Sequence, residues 1–178
     1  MTTPSARVWG VLESLEIPEG VRAELIFGEI LLSLSSDLTT NLIVESLIHQ
    51  IPAERWHRWT RQDVSCGGGG SRLRPDLVVF ERGAAEATVP VATVEVVTKT
   101  SALRDYRTKR ELYAEGMIPV YLIVDPIKAV CVLLTEPTRA SASGLPDYVS
   151  ERTTKFGEPI PVDLLGVTLD TSEFQTYA

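Results

Sequence analysis

The chain is poor in residues that advertise a disulfide framework, a zinc site or a reactive nucleophile. Two cysteines, Cys66 and Cys131, stand far apart in 178 residues, with no CxxC spacing. That argues against a disulfide framework and fits reduced core thiols of a cytoplasmic protein. Two histidines, His49 and His57, are too sparse for a zinc site, and no HExxH occurs. The GxSxG of a serine hydrolase is missing. The glycine run 67–70 leads into Ser71 without the Gly-Lys-Ser/Thr of a P-loop, so it reads as a hairpin loop near substrate. No segment approaches the ~18 to 20 uninterrupted apolar residues of a membrane helix. The first fifteen residues lack the basic-then-apolar order of a signal peptide. No repeat and no second domain is visible.

The apolar fraction is 44%, enough for one domain with a hydrophobic core. The net charge of -7 argues against a simple nucleic-acid binder. The distribution says more. Residues 55–110 hold eleven Lys/Arg against six Asp/Glu, so the surplus of acid lies elsewhere. This basic segment can attract a polyanion locally. Arginines scattered over solvated faces are the plainer meaning of the same count.

Apolar spacing predicts a helix over 4–15, with Val8, Val11, Leu12 and Leu15 on one face. Residues 23–26 and 29–34 read as a hairpin turning at Phe27-Gly28. A helix capped by Asp37 or Thr39 runs to about Gln50, burying Leu42, Ile43, Leu47 and Ile48. Residues 55–66 and 72–80 each read as a strand, 83–90 as a loop, and 91–97 as a strand buried on both faces. A helix over about 102–115 ends at Gly116. Strands follow over 120–124, 129–134, 148–156 and 162–169, with a small-residue loop over 138–146. The expected fold is α/β with a mixed central sheet flanked by helices. Its parts are an N-terminal helix and hairpin (4–34), a core (about 37–135) and C-terminal strands (148–172).

Two acids stand out within the core. Asp76 opens an apolar strand after Pro75. Taken alone, Pro-Asp at a strand start is usually a turn device. Glu95 lies among Val94, Val96 and Val97, where an unpaired carboxylate would cost several kcal/mol, roughly. It needs a cation, a metal or a hydrogen-bond network, unless that strand end is partly exposed. Mg²⁺ takes oxygen ligands, and one or two carboxylates plus a substrate phosphate suffice for it. Asp76 and Glu95 could form that minimal site, with the Val96 carbonyl as a third oxygen. Such a metal would acidify a bound water and neutralise phosphoryl charge. A nearby lysine would orient water or stabilise developing charge. Lys99, four residues after Glu95, shares its strand face by periodicity. Lys109 lies on the next helix, four residues after Asp105, and the bland alternative there is a surface ion pair.

These segments together resemble the PD-(D/E)XK nuclease superfamily. More closely, they resemble the large bacterial "putative restriction endonuclease" family often called Uma-type. The matching residues are Arg74-Pro75-Asp76, Val94-Glu95-Val96, Asp105 with Lys109, Tyr113 and Gly116, and Tyr121 with Val124-Asp125-Pro126. Ala23-Glu24-Leu25-Ile26, Gly28-Glu29-Ile30 and Leu164-Leu165-Gly166 match as well, so the resemblance covers nearly the whole chain.

The resemblance implies a restriction-endonuclease-like core and Mg²⁺-dependent hydrolysis of DNA, with Mn²⁺ as a substitute and 5′-phosphate and 3′-hydroxyl ends. It implies Asp76 and Glu95 as metal ligands. The superfamily's usual lysine position, two after Glu95, is Val97 here; Uma-type relatives share this departure, which selects Lys109. Lys99 is then a backbone contact or without a role. Glu24 is a possible third carboxylate. Asn41 stands where relatives often have His. Arg72, Arg74, Arg104 and Arg107 are candidate DNA contacts. Trp56 and Trp59, beside Arg55, Arg58 and Arg61, could stack on bases, pack internally or meet a second subunit. A homodimer is expected, because cutting both strands of a duplex needs two centres. Two rivals remain. One is a catalytically silent nuclease fold that binds DNA or a protein. The other is a hydrolase of a different phosphate ester.

Overall fold

The computed structural model describes residues 4–34, 37–66, 68, 70–83 and 89–177. The first elements form where expected, but the apolar face over 4–15 is only partly buried. Helix α1 (Pro4–Ser14) buries Leu12 against Ala23 and Leu25, while Val11 and Leu15 face outward. Strands β1 (Val21–Ile26) and β2 (Glu29–Leu34) form the expected hairpin. Phe27 and Gly28 both take positive φ, 49° and 84°, which is the geometry of a two-residue turn matched to strand twist. Helix α2 (Leu38–Gln50) starts at Asp37, whose side chain accepts from Thr40 N. Its buried face is Thr40, Ile43, Val44 and Leu47. Leu42, expected inside, is exposed, because α2 meets the sheet one position further round.

Two expected strands are each two strands. The segment 55–66 splits into β3 (Trp56–Trp59) and β4 (Val64–Cys66), and Arg61 turns the chain between them with φ 58°. The segment 72–80 splits into β5 (Ser71–Leu73) and β6 (Leu77–Glu81). Pro75 falls in the gap, where its missing N–H breaks no ladder. Each split carries the chain from one sheet to another. Strands β2-β1-β5-β4 form a four-stranded sheet. The six-stranded sheet has the order β10-β9-β8-β7-β6-β3, adding β7 (Ala92–Val96), β8 (Val120–Asp125), β9 (Val130–Thr138) and β10 (Asp147–Lys155). Only β7 and β8 run parallel in it, and their crossover is the expected helix. That helix is a π-helical stretch (Arg104–Lys109) continuing into α3 (Arg110–Glu115). The late segment 162–169 is a small hairpin, β11 (Ile160–Val162) and β12 (Val167–Leu169), around a 3-10 turn. The expected loop at 83–90 lies largely outside the described residues, as do Gly67 and Gly69 of the glycine run.

The six-stranded sheet has a core on each face. Ile43, Val44 and Leu47 of α2 pack against Val79, Val94 and Leu122. On the other face Leu112, Tyr113 and Ala114 of α3 pack against Val78, Ile123 and Val132, together with Val64 and Leu73 of the smaller sheet. Cys66 and Cys131 are buried and unpaired, and burial pushes both thiols up to about 12. Among the described residues no helix is long and apolar enough to cross a membrane.

Candidate active site

The two acids singled out above meet where β6 begins beside the end of β7. Leu77 pairs with Val94, so Asp76 and Glu95 fall side by side across the ladder. Asp76 N donates to Val94 O at 3.1 Å, and its Oδ2 accepts from Val96 N at 2.8 Å. The carboxylate thus fastens the strand start to its neighbour. Its Oδ1 accepts from Arg22 NH1 at 2.9 Å. Glu95 is 1% exposed. Its Oε1 accepts from Lys109 Nζ at 2.7 Å and from Tyr113 OH at 2.6 Å. No donor among the described residues reaches its Oε2.

Lys109 is fully buried, which corrects the surface-pair alternative. Its Nζ lies 2.7 Å from Glu95, 3.0 Å from Glu24 and 3.7 Å from Asp105. The wider π turn directs both Asp105 and Lys109 inward. Ser101 Oγ donates to Asp105 Oδ2, and Tyr121 OH donates to the Asp105 carbonyl, which anchors that turn. Glu24, on β1 of the other sheet, enters the same cluster and also accepts from Arg74 N at 2.9 Å. Lys99 does not enter it. The ladder ends at Val96, so strand periodicity stops short of position 99, and its side chain is exposed.

Three acids around one ammonium leave an excess of negative charge. Burial and its acidic neighbours push Glu95 up to about 8, although Lys109 pulls the other way. Burial also dominates at Asp105 and raises it. At Glu24, burial is outweighed by Lys109, Arg22 and the Arg74 N–H, and its pKa lies below the ordinary value. Burial works against the charge on Lys109, but Glu95, Glu24 and Asp105 hold its pKa above the ordinary lysine value. The three carboxylates thus favour the charged form of Lys109.

A hard cation takes oxygen ligands, and part of the cluster's oxygen surface is unused. Glu24 Oε2 and Asp105 Oδ1 are buried without a hydrogen-bond partner, and the donors present are carboxylate oxygens. Among the described residues no three acids, histidines or cysteines form a ready-made metal cage. Asp76 and Glu95 are a two-carboxylate set, which suffices for Mg²⁺ when substrate and water complete the shell.

Other expected residues are dispersed. The Arg72 guanidinium lies 3.5 Å over the Trp9 ring, and Arg74 Nε pairs with Asp63 at 2.6 Å. Arg104 lies beside the site, 3.9 Å from Glu24 Oε2, while Arg107 is exposed. Trp56 is core, its indole N–H bonded to Leu165 O at 3.1 Å. Trp59 is 45% exposed and stacks on His57. Arg22 was missed, though a signal existed: it stands two before Glu24 on one strand, hence on the same face. Tyr113, four after Lys109, shares a helix face with it by the same logic.

This is a mixed α/β fold of the restriction-endonuclease-like kind, with its acids at the junction of two central strands. The Uma2 family, described as "Putative restriction endonuclease", matches residues 9–172, and the chain belongs to it. A crystal structure of a putative nuclease of the DUF820 group, from Anabaena variabilis, is similar in fold at 14% identity. The likeness covers 94% of this chain and 92% of that one, with a TM-score of 0.60. No curated protein matches the sequence.

Proposed function

We propose that this chain is a metal-dependent nuclease that hydrolyses phosphodiester bonds of DNA. The observation that carries the reading is the buried cluster of Glu24, Glu95 and Asp105 around Lys109, with Asp76 at its open side. Such a cluster is costly to bury and contributes little to stability, so its presence points to chemistry. Asp76 and Glu95 would hold Mg²⁺ or Mn²⁺, which supplies Lewis acidity at the phosphoryl oxygens and an acidified water. Lys109, whose charged form its acidic neighbours favour, would stabilise negative charge as it develops on phosphorus. Tyr113 and Glu24 hold Lys109 and Glu95 in register. Asp76 lines two cavities, of about 630 and 500 Å³, which give a strand room to pass beside that carboxylate. Arg22, Arg61 and Arg74 line the larger one and would contact the backbone. A twofold pair of such chains would cut both strands, which the mass by light scattering tests.

One observation favours a silent binding module instead: Arg22 already satisfies Asp76 Oδ1. A single experiment separates the two. Cleavage of labelled DNA is measured with Mg²⁺, Mn²⁺ or EDTA, using the parent chain and Asp76→Asn. Metal-dependent cutting lost in the variant supports the nuclease. DNA binding without cutting in any metal supports the module.

A further inference from the structure

Both oxygens of Asp76 are engaged, by partners of different kinds. Oδ2 accepts from Val96 N at 2.8 Å, and Val96 is itself held in the ladder between β7 and β8. Oδ1 accepts from Arg22 Nη1 at 2.9 Å. The backbone donor cannot leave without opening the sheet, whereas a side chain on β1 can turn away. Arg22 Nη1 also donates to the Arg74 carbonyl at 2.9 Å, and Nη2 makes no hydrogen bond among the described residues. A hard cation cannot simply be added to this arrangement. At Oδ1, with a ligand distance of about 2.1 Å, Mg²⁺ would lie at most about 5 Å from Nη1. The Arg22 and Asp76 side chains are only 11% and 5% exposed, so little water screens the two positive charges. A guanidinium does not deprotonate, so Arg22 relieves the repulsion only by moving.

A destination lies beside it. Arg22 lines the larger cavity next to Asp76 together with Arg61 and Arg74. A phosphodiester entering there offers the guanidinium anionic oxygens in exchange for the carboxylate. We infer that Arg22 is a positioning residue that couples strand binding to metal binding. It holds Asp76 in the free protein and passes to a phosphodiester of the entering strand, which opens Oδ1 to the divalent ion. The inference rests on the nuclease reading, since it takes a strand beside Asp76 and a metal upon it as given. Its consequence is that strand and metal strengthen each other's binding, by the same factor in either direction. The Arg22–Asp76 pair then belongs to a working nuclease at rest and is no argument for a silent module.

The test uses the full chain and reads Mn²⁺ binding rather than cleavage. Free Mn²⁺ is measured by its EPR signal as protein is titrated, alone and with a short phosphorothioate DNA strand chosen to slow cutting. Uptake by the strand alone is subtracted. With the parent chain the strand should tighten Mn²⁺ binding about tenfold, a usual size for coupling between two ligands. Arg22→Met should bind Mn²⁺ about tenfold more tightly than the parent without any strand, and the strand should then add less than about twofold. Damage to the site would weaken binding, so the sign separates release of Asp76 from a structural fault. Loss of one positive charge by itself would tighten Mn²⁺ but leave the effect of the strand in place. Arg22→Lys keeps a cation at Asp76 and should restore both the weak binding and the coupling. Arg22→Gln, which keeps a donor for the Arg74 carbonyl, gives the same reading if Arg22→Met does not fold by circular dichroism. Mn²⁺ binding indifferent to the strand in the parent overturns the inference, as does coupling that survives in Arg22→Met or Arg22→Gln, or Mn²⁺ binding no tighter in them. Cleavage of unmodified DNA in Mn²⁺ alongside any of these results leaves the nuclease reading intact. Coupling that depends on Arg22, with no cleavage in any metal, supports the role of Arg22 and overturns the nuclease. No Mn²⁺ uptake by any of the proteins overturns both.

Discussion

Strand β7 is buried along its whole length, yet its two faces are unlike. Ala92, Val94 and Val96 face α2 in a dry apolar core. Thr93 and Glu95, with Val97 just past the strand end, face the crossover helix, and there Glu95 is a carboxylate tied to Lys109 and Tyr113. Burial alone does not distinguish the faces: Val94 is 3% exposed and Glu95 1%. What differs is the consequence of change. On one face a substitution removes packing and should leave chemistry alone. On the other it removes charge and should abolish chemistry while relieving strain on the fold.

The largest effect should come from the charged face. Glu95→Gln or Asp76→Asn should lower single-turnover cleavage by about 10³-fold or more, beyond one lost electrostatic stabiliser. Circular dichroism should show both still folded. Undiminished cleavage by either variant would dissolve the contrast between the faces.

Lys109→Met should lower cleavage by roughly 10²-fold. Here the fold also suffers, because Glu24 and Glu95 lose their shared cation; a loss of about 3–5 kcal/mol is the scale for breaking a buried pair. Urea denaturation should show part of that loss recovered in the Lys109→Met, Glu95→Gln double variant, with no recovery of cleavage.

Val94→Ala sharpens the comparison from the other face. Removing two buried methyl-sized groups should cost about 2 kcal/mol in urea denaturation. The rate per folded molecule should stay within about twofold.

A pH series separates the faces further. The folded pKa of Glu95 is raised from 4.5 to about 8. An acid whose folded pKa is raised withdraws stability as pH climbs from its unfolded value to its folded one. Glutamine cannot titrate. The melting temperature of Glu95→Gln relative to the parent should therefore rise between pH 5 and pH 8, by a few degrees. Glu24, lowered instead, loses its contribution below its ordinary value in both proteins, so the difference cancels it. A difference flat with pH would show that Glu95 is ionised throughout.

The smallest effect is expected at Lys99, exposed beyond the end of β7. Lys99→Ala should leave the single-turnover rate within about twofold and reduce the salt dependence of DNA binding by about one phosphate contact. A dead Lys99→Ala beside an active Lys109→Met would reverse the roles of the two lysines.

Much of the site could be read before any fold. An acid inside Val94-Glu95-Val96-Val97 has few innocent explanations, and Asp76 and Lys109 follow from motif spacing once the family resemblance is seen. The hairpin, α2 and the crossover helix were legible from turn residues and apolar period. Other features were not. The residues of 55–66 and 72–80 alternate as strands do, and nothing local says that each run is shared between two sheets. Leu42 and Val44 are both apolar, and only the angle at which α2 meets the sheet exposes one and buries the other. Lys99 and Lys109 could both be argued near Glu95 until the ladder was seen to end at Val96.

The alternation of elements and the acids that are difficult to bury follow from neighbouring residues, because periodicity and transfer cost are local properties. Tertiary packing decides which charges meet in one buried cluster. Arg22 and Glu24 arrive from one sheet, Asp76 and Glu95 from another, and Asp105 and Lys109 from a π turn. Their ionisation depends on one another's distance and on lost water, and neither exists until the sheets and the helix have packed together.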